Sequence, residues 1–185
     1  MSMRVYVFID ASNLWQAQKV KGKFFDLAKL KRYLELRYQA TEIKVYYYTA
    51  YPKEGTRDYS TESKHKFFTY LKKGLGIVVR KKELKQIRIT TELGVSIGEK
   101  GNMDVEMTID AVNLVDKYDA AILFTGDSDF LALINYMRNR GKKVHVYSSH
   151  NNISYELRTS SDSYTDVLKI KEDVSRGKIE YRGHK

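Results

Sequence analysis

The chain of 185 residues contains no cysteine. Disulfides, zinc–thiolate sites, iron–sulfur clusters and cysteine nucleophiles are therefore excluded together. It has one proline, Pro52, and no Pro-rich or Gly/Ser-rich stretch that reads as a linker. No apolar run approaches the roughly 20 residues that span a membrane. The N-terminus enters a strand-like pattern without the charged, apolar and small-residue segments of a secretory signal. The expectation is a cytoplasmic protein with no membrane segment. The four histidines, His65, His145, His150 and His184, are scattered, and none shows the i, i+4 pairing of a helical metal site. Any metal must then be held by oxygen, which favours magnesium, manganese or calcium.

What is abundant is positive charge. Lys and Arg number 33 against 23 Asp and Glu, a formal charge of +10, and an excess of this kind is the usual footprint of a protein that meets nucleic acid. Hydrophobic residues at 42% and charged residues at 30% fit a globular domain and not a disordered chain. The length fits one domain, read here as residues 1–170, followed by a polar, charged tail over 171–185 that is expected to be partly disordered.

Residues 4–10 (RVYVFID) form a β-branched and aromatic run that suits a buried strand, followed by a turn or helix start at 11–13. Helical spacing marks 26–38, 61–73, 102–117 and 130–140, the third with Val105, Ile109 and Val112 on one stripe. Further strands are predicted at 43–51, 77–79, 120–125 and 144–147, with a hairpin over 86–91 and 93–97. Strands alternating with helices predict a Rossmann-like three-layer α/β/α fold with a central, mainly parallel sheet of about five strands. Ligands of such sheets bind at the carboxyl ends of the strands.

Acids gather where those ends fall. FIDASN supplies Asp10 and Asn13, FTGDSDF supplies Asp127, Ser128 and Asp129, and KGNMDVEMTID opens a helix with Asp104, Glu106 and Asp110. Any one of them alone is an ordinary cap or a complement to a helix dipole. Together they would repel one another in a crevice unless a cation joined them, and magnesium binds through carboxylates and phosphate oxygens. Such ions can activate water for a phosphodiester displacement. Glu106 and Asp110 share a helix face one turn apart, which a solvated face explains equally well.

On these residues the sequence resembles a NYN domain of the LabA-like group, within the PIN-like metal-dependent nuclease superfamily. The resemblance rests on FIDASNL at 8–14, KGNMDVEMTIDA at 100–111, ILFTGDSDFLALI at 122–134, GKKVHVYS at 141–148 and SYELRTSSDSYTDV at 154–167. It implies a PIN-like fold and a metal site formed by Asp10, Asp104, Asp127 and Asp129, holding Mg2+ or Mn2+. Asn13 and Ser128 would be polar supports, and Lys100 could contact phosphate, with a solvated lysine as the plain alternative. Asp162 falls in a late motif of the family, but Ser161 precedes it, which favours a structural role. RNA is implied as substrate more readily than DNA, although domains of this group also serve as regulators without clear catalysis.

From 64 to 88 the chain reads KHKFFTYLKKGLGIVVRKKELKQIR. Arg80, Lys81, Lys82, Lys85 and Arg88 could form a rail for a phosphate backbone, with a solvated surface as the plain alternative. Of the aromatic residues, Trp15 is placed nearest the acids, as packing or as a stacking platform for a base. P-loop and nucleophile-elbow motifs are absent, and the first strand is not followed by the Asp-x-Asp of aspartyl-phosphate phosphatases, since Asp10 is followed by Ser12 and Asn13. The leading expectation is a Mg2+- or Mn2+-dependent ribonuclease acting on single-stranded RNA through metal-activated water, and a homodimer is compatible with it. The alternatives are a catalytically silent module that binds RNA or protein, and a small nucleotide- or phosphate-binding module.

Overall fold

The computed structural model describes residues 3–19, 22, 24–56, 62–91, 94–170 and 174–176. The first strand, β1 (Arg4–Asp10), is buried on both faces because its apolar residues are continuous: Val5, Val7 and Ile9 point one way, Tyr6 and Phe8 the other. It runs directly into α1 (Ala11–Lys19), a full helix where the sequence indicated only a start. Next come α2 (Leu27–Arg37), capped by the Asp26 carboxylate, and β2 (Glu42–Tyr51). After α3 (Glu62–Thr69) a π-helical turn over Tyr70–Gly74 leads to Gly76, whose φ of +65° bends the chain into β3 (Val78–Glu83). The predicted start of α3 at Thr61 and of the second hairpin strand at Leu93 lie outside the described residues. The hairpin itself is present as β4 (Lys85–Thr91) and β5 (Gly94–Lys100), antiparallel and separate from the main sheet.

The chain then forms α4 (Asp104–Asn113), β6 (Ala120–Phe124), α5 (Leu131–Asn139), β7 (Lys143–Ser148), α6 (Tyr155–Ser160) and β8 (Ser163–Asp166). The main sheet has six parallel strands in the order β3-β2-β1-β6-β7-β8. On one face, α1, α2 and α3 bury Leu14, Leu30, Leu34 and Phe68 against Val5, Val7 and Phe124. On the other, α4, α5 and α6 bury Met107, Ile134 and Leu157 against Phe8 and Leu123. This is the α/β/α sandwich expected, with one strand more. The sixth strand escaped notice because SYTD is polar and only half-buried, as an edge position allows.

One stripe is turned the other way from a core face. Val105 and Ile109 are 63% and 53% exposed, while Met103, Met107, Ala111 and Val115 of the same helical segment are buried. Two apolar stripes run along this segment, and helical spacing alone cannot say which faces the sheet. In the tail, Val174 is buried, its carbonyl accepts from the Asp26 N–H, and Ser175 bridges to Phe25. Residues 171–173 and 177–185 lie outside the described part. Among the described residues no helix is long and apolar enough to cross a membrane.

Candidate metal centre

From β1 the chain winds outward through β2 to β3, then returns to place β6 on the other side of β1. A crevice opens at such a switch point, beyond the carboxyl ends of the two strands. Ile9 pairs with Phe124, so Asp10, the last residue of β1, comes just past the pairing with β6, and Asp127 lies three beyond Phe124. Asp104 opens α4, and Asp129 sits in the 3₁₀ turn of Ser128–Phe130.

Among the described residues, Asp104, Asp127 and Asp129 each offer a carboxylate oxygen, all within 4.8 Å of one another. Asp10 belongs to the same electrostatic cluster, since its charge acts on Asp104 and that of Asp127 acts on Asp10. Burial pushes the Asp10 carboxyl up, and bonds from Ser12 and Asn13 partly offset this. Burial, followed by repulsion from Asp10, Asp127 and Asp129, lifts Asp104 to about 6, against an opposing pull from Lys82. Four acids and no competing soft ligand form a donor set suited to a hard divalent cation. A proton on Asp104 competes with such a cation. The affinity for Mn2+, followed by calorimetry, is therefore expected to fall about tenfold per pH unit below about 6, with one proton released on binding. A pH-independent affinity between pH 7 and 5 would contradict this.

Capping leaves these carboxylates an oxygen to spare. The Ser12 N–H, Ser12 hydroxyl and Asn13 N–H donate to Asp10 at 3.0, 2.8 and 3.2 Å, and all three bonds end on Oδ1. The Asp129 N–H likewise donates to Asp127 Oδ1 at 3.0 Å. A carboxylate held by one oxygen keeps lone pairs on the other. Asn102 Nδ2 donates to Asp104 Oδ2 at 2.6 Å, a support the sequence reading passed over. The buried Ser148 at the end of β7 is another, its hydroxyl 3.5 Å from Asn13 Oδ1. Its only sequence signal is the serine that ends GKKVHVYS.

The remaining predicted residues divide. Ser128 is exposed beside Asp127. Trp15 is 55% exposed, with its ring 4.8 Å from that of Phe24. Lys85 and Lys100 face each other across the hairpin, and both are exposed, as is Arg88. Lys81 lies over the rings of Tyr51 and Phe68. Arg80 and Lys82 are bound to α4, through Asp110 and Glu106 respectively. Asp162 accepts from the Val144 N–H and pairs with Lys143 and Arg138, so it ties β7 and α5 together, away from the cluster of acids.

A family model for the NYN domain matches residues 4–169. The chain is 31% identical over 173 residues to the low amplitude and bright protein LabA of Synechococcus elongatus, covering 94% of this chain and 88% of that one. An uncharacterized protein of Methanocaldococcus jannaschii is 38% identical over 84 residues, 43% of this chain and 34% of its own. Among solved structures, a protein of unknown function from Vibrio parahaemolyticus superposes with a TM-score of 0.68 at 24% identity, covering 95% of this chain and 97% of that one. At that identity the likeness speaks for the fold alone.

Proposed function

Because this chain belongs to the NYN domain family and is LabA-like, we propose that it is a divalent-metal-dependent ribonuclease that hydrolyses single-stranded RNA. The observation that carries the reading is the meeting of Asp104, Asp127 and Asp129 within 4.8 Å at a sheet switch point, with Asp10 in the same field. Mg2+ or Mn2+ bound there supplies the Lewis acidity that activates water and stabilises a leaving oxygen. The protein's part is to hold four carboxylates rigidly. Asp10 and Asp127 are fixed by the turns they cap, and Asp104 by Asn102 and its helix.

The hairpin leads from β3 into the Asp104 helix and carries Lys85, Arg88 and Lys100, all exposed. These three are the residues proposed to hold the phosphate backbone. Replacing all three by alanine should lower the salt slope of RNA binding by about 2, at roughly 0.7 per phosphate contact on a single strand. An unchanged slope in filter binding from 50 to 200 mM salt would remove the hairpin from the interface.

Cleavage of labelled single-stranded RNA in Mn2+, Mg2+ or EDTA, by the parent and by an Asp10→Asn, Asp127→Asn double variant, tests the activity. Cutting that needs metal and disappears in the folded double variant supports the reading. RNA binding without cleavage by the parent would identify a regulatory RNA-binding module instead.

A further inference from the structure

Two cations that the sequence assigns to a phosphate rail are engaged elsewhere. Arg80 Nε and Nη2 donate to Asp110 Oδ2 and Oδ1 at 2.9 and 3.2 Å, a two-pronged pair that Tyr48 completes by donating its hydroxyl to Oδ2 at 2.9 Å. One step towards the carboxyl edge, Lys82 Nζ meets Glu106 Oε1 at 2.8 Å. The two rungs fit because of element geometry. Two residues of strand advance about 6.6 Å and four residues of helix about 6 Å, so i, i+2 on β3 matches i, i+4 on α4. The helix runs against the strand, and Asp104, its first residue, lies two residues before Glu106. The charge of Lys82 already acts on that carboxylate. Among the described residues no side chain caps the start of α4.

We infer that this ladder of ion pairs between the edge strand β3 and α4 positions Asp104 in the metal centre, and that Arg80 and Lys82 serve the ladder and not the RNA. The inference rests on the metal-centre reading above. Arg80 and Asp110 are positioning residues, because they pair with each other and act on Asp104 through the helix. Asp110 is 18% exposed and accepts three bonds, so the upper part of α4 is tied to the sheet by the ladder as well as by its apolar face.

The test measures two quantities on purified full-length chains: Mn2+ affinity by calorimetry without RNA, and the salt slope of RNA binding. Arg80→Gln and Asp110→Asn should each weaken Mn2+ about tenfold or more, as loss of an orienting partner commonly does. The double variant should be no weaker than either single one. Arg80→Lys should recover part of the loss and serves as the working variant if Arg80→Gln does not fold. The salt slope should stay at the parent value throughout. Unchanged Mn2+ affinity with a reduced slope in Arg80→Gln would return Arg80 to the phosphate rail and overturn the proposal. Lowered thermal stability with unchanged Mn2+ affinity would overturn it too, leaving a purely structural pair. A parent chain that binds no Mn2+ would fail the metal-centre reading itself, which is a separate result.

Discussion

Asp104→Asn should reduce metal-dependent RNA cleavage by roughly 10³-fold or more while making the metal-free chain more stable. The loss follows from removing one of the carboxylates that meet within 4.8 Å, since a ligated cation contributes several kcal/mol and each 1.36 kcal/mol is tenfold in rate. The gain in stability follows from the direction of the shift. Asp104 is lifted to about 6 by burial and by Asp10, Asp127 and Asp129, so at pH 7 its charge opposes folding. Between the unfolded and folded values the native state binds more protons, so for this group stability rises as pH falls from about 7 towards 4. Asparagine removes the charge and retains an oxygen to accept from Asn102. The measurements are kcat/KM on labelled RNA with Mn2+ and thermal unfolding in EDTA. Undiminished cleavage would exclude Asp104 as a ligand, and a lower unfolding temperature in EDTA would contradict the repulsion.

Gly126→Ala is expected to be the most damaging single-methyl change in the site region. A Cβ there would stand 2.2 Å from the Asn152 carbonyl oxygen, 2.6 Å from the Ser148 hydroxyl and 2.7 Å from the Asn152 carbonyl carbon. Asn152 cannot simply retreat. Its N–H and that of Ile153 donate to Ser149 O, and the Ser154 N–H donates to Gly126 O at 3.0 Å. Forcing backbone apart in a packed region costs roughly 3 kcal/mol, well above the half to one kcal/mol that alanine returns by stiffening the unfolded chain. Gly101→Ala provides the contrast. Its new methyl would meet the end of the Leu84 side chain at 2.9 Å, which can turn aside, and the Ala50 Cβ at 3.3 Å, which needs to give only a few tenths of an ångström, so a loss of about 1 kcal/mol is expected. Urea unfolding of the two variants checks the ranking, and equal midpoints would contradict it. Because Asp127 follows Gly126 directly, cleavage should fall with the first variant even where it remains folded.

The architecture was legible because its signals are strong and local. RVYVFID and AAILF are apolar on both faces, which only a central parallel strand requires, and acids follow both. Asp104 opens a helix between them and joins them through shared charge and not through spacing, and resemblance to a family then narrowed the set to Asp10, Asp104, Asp127 and Asp129. The edges were harder to read. SYTD forms β8 with no apolar pattern, held by pairing with β7 and not by burial. Val105 and Ile109 point outward because a second stripe on the same segment carries Met103, Met107 and Ala111. Arg80 and Lys82 looked like free cations since their partners, Asp110 and Glu106, lie some 24 to 30 residues away. The need for Gly126 likewise comes from a loop 26 positions later, Asn152, which sequence does not place beside it. Long-range contacts of this kind belong to the tertiary fold, where local periodicity has no reach.

The most direct test of the account is anomalous diffraction from crystals of the parent chain grown or soaked in Mn2+. A cation held by these acids gives an anomalous peak at coordination distance from carboxylate oxygens of Asp104, Asp127 and Asp129, with Asp10 bordering it, and no peak there in an Asp104→Asn, Asp127→Asn variant. A crystal saturated with Mn2+ that shows no density between these acids, or shows it only elsewhere on the surface, would contradict it.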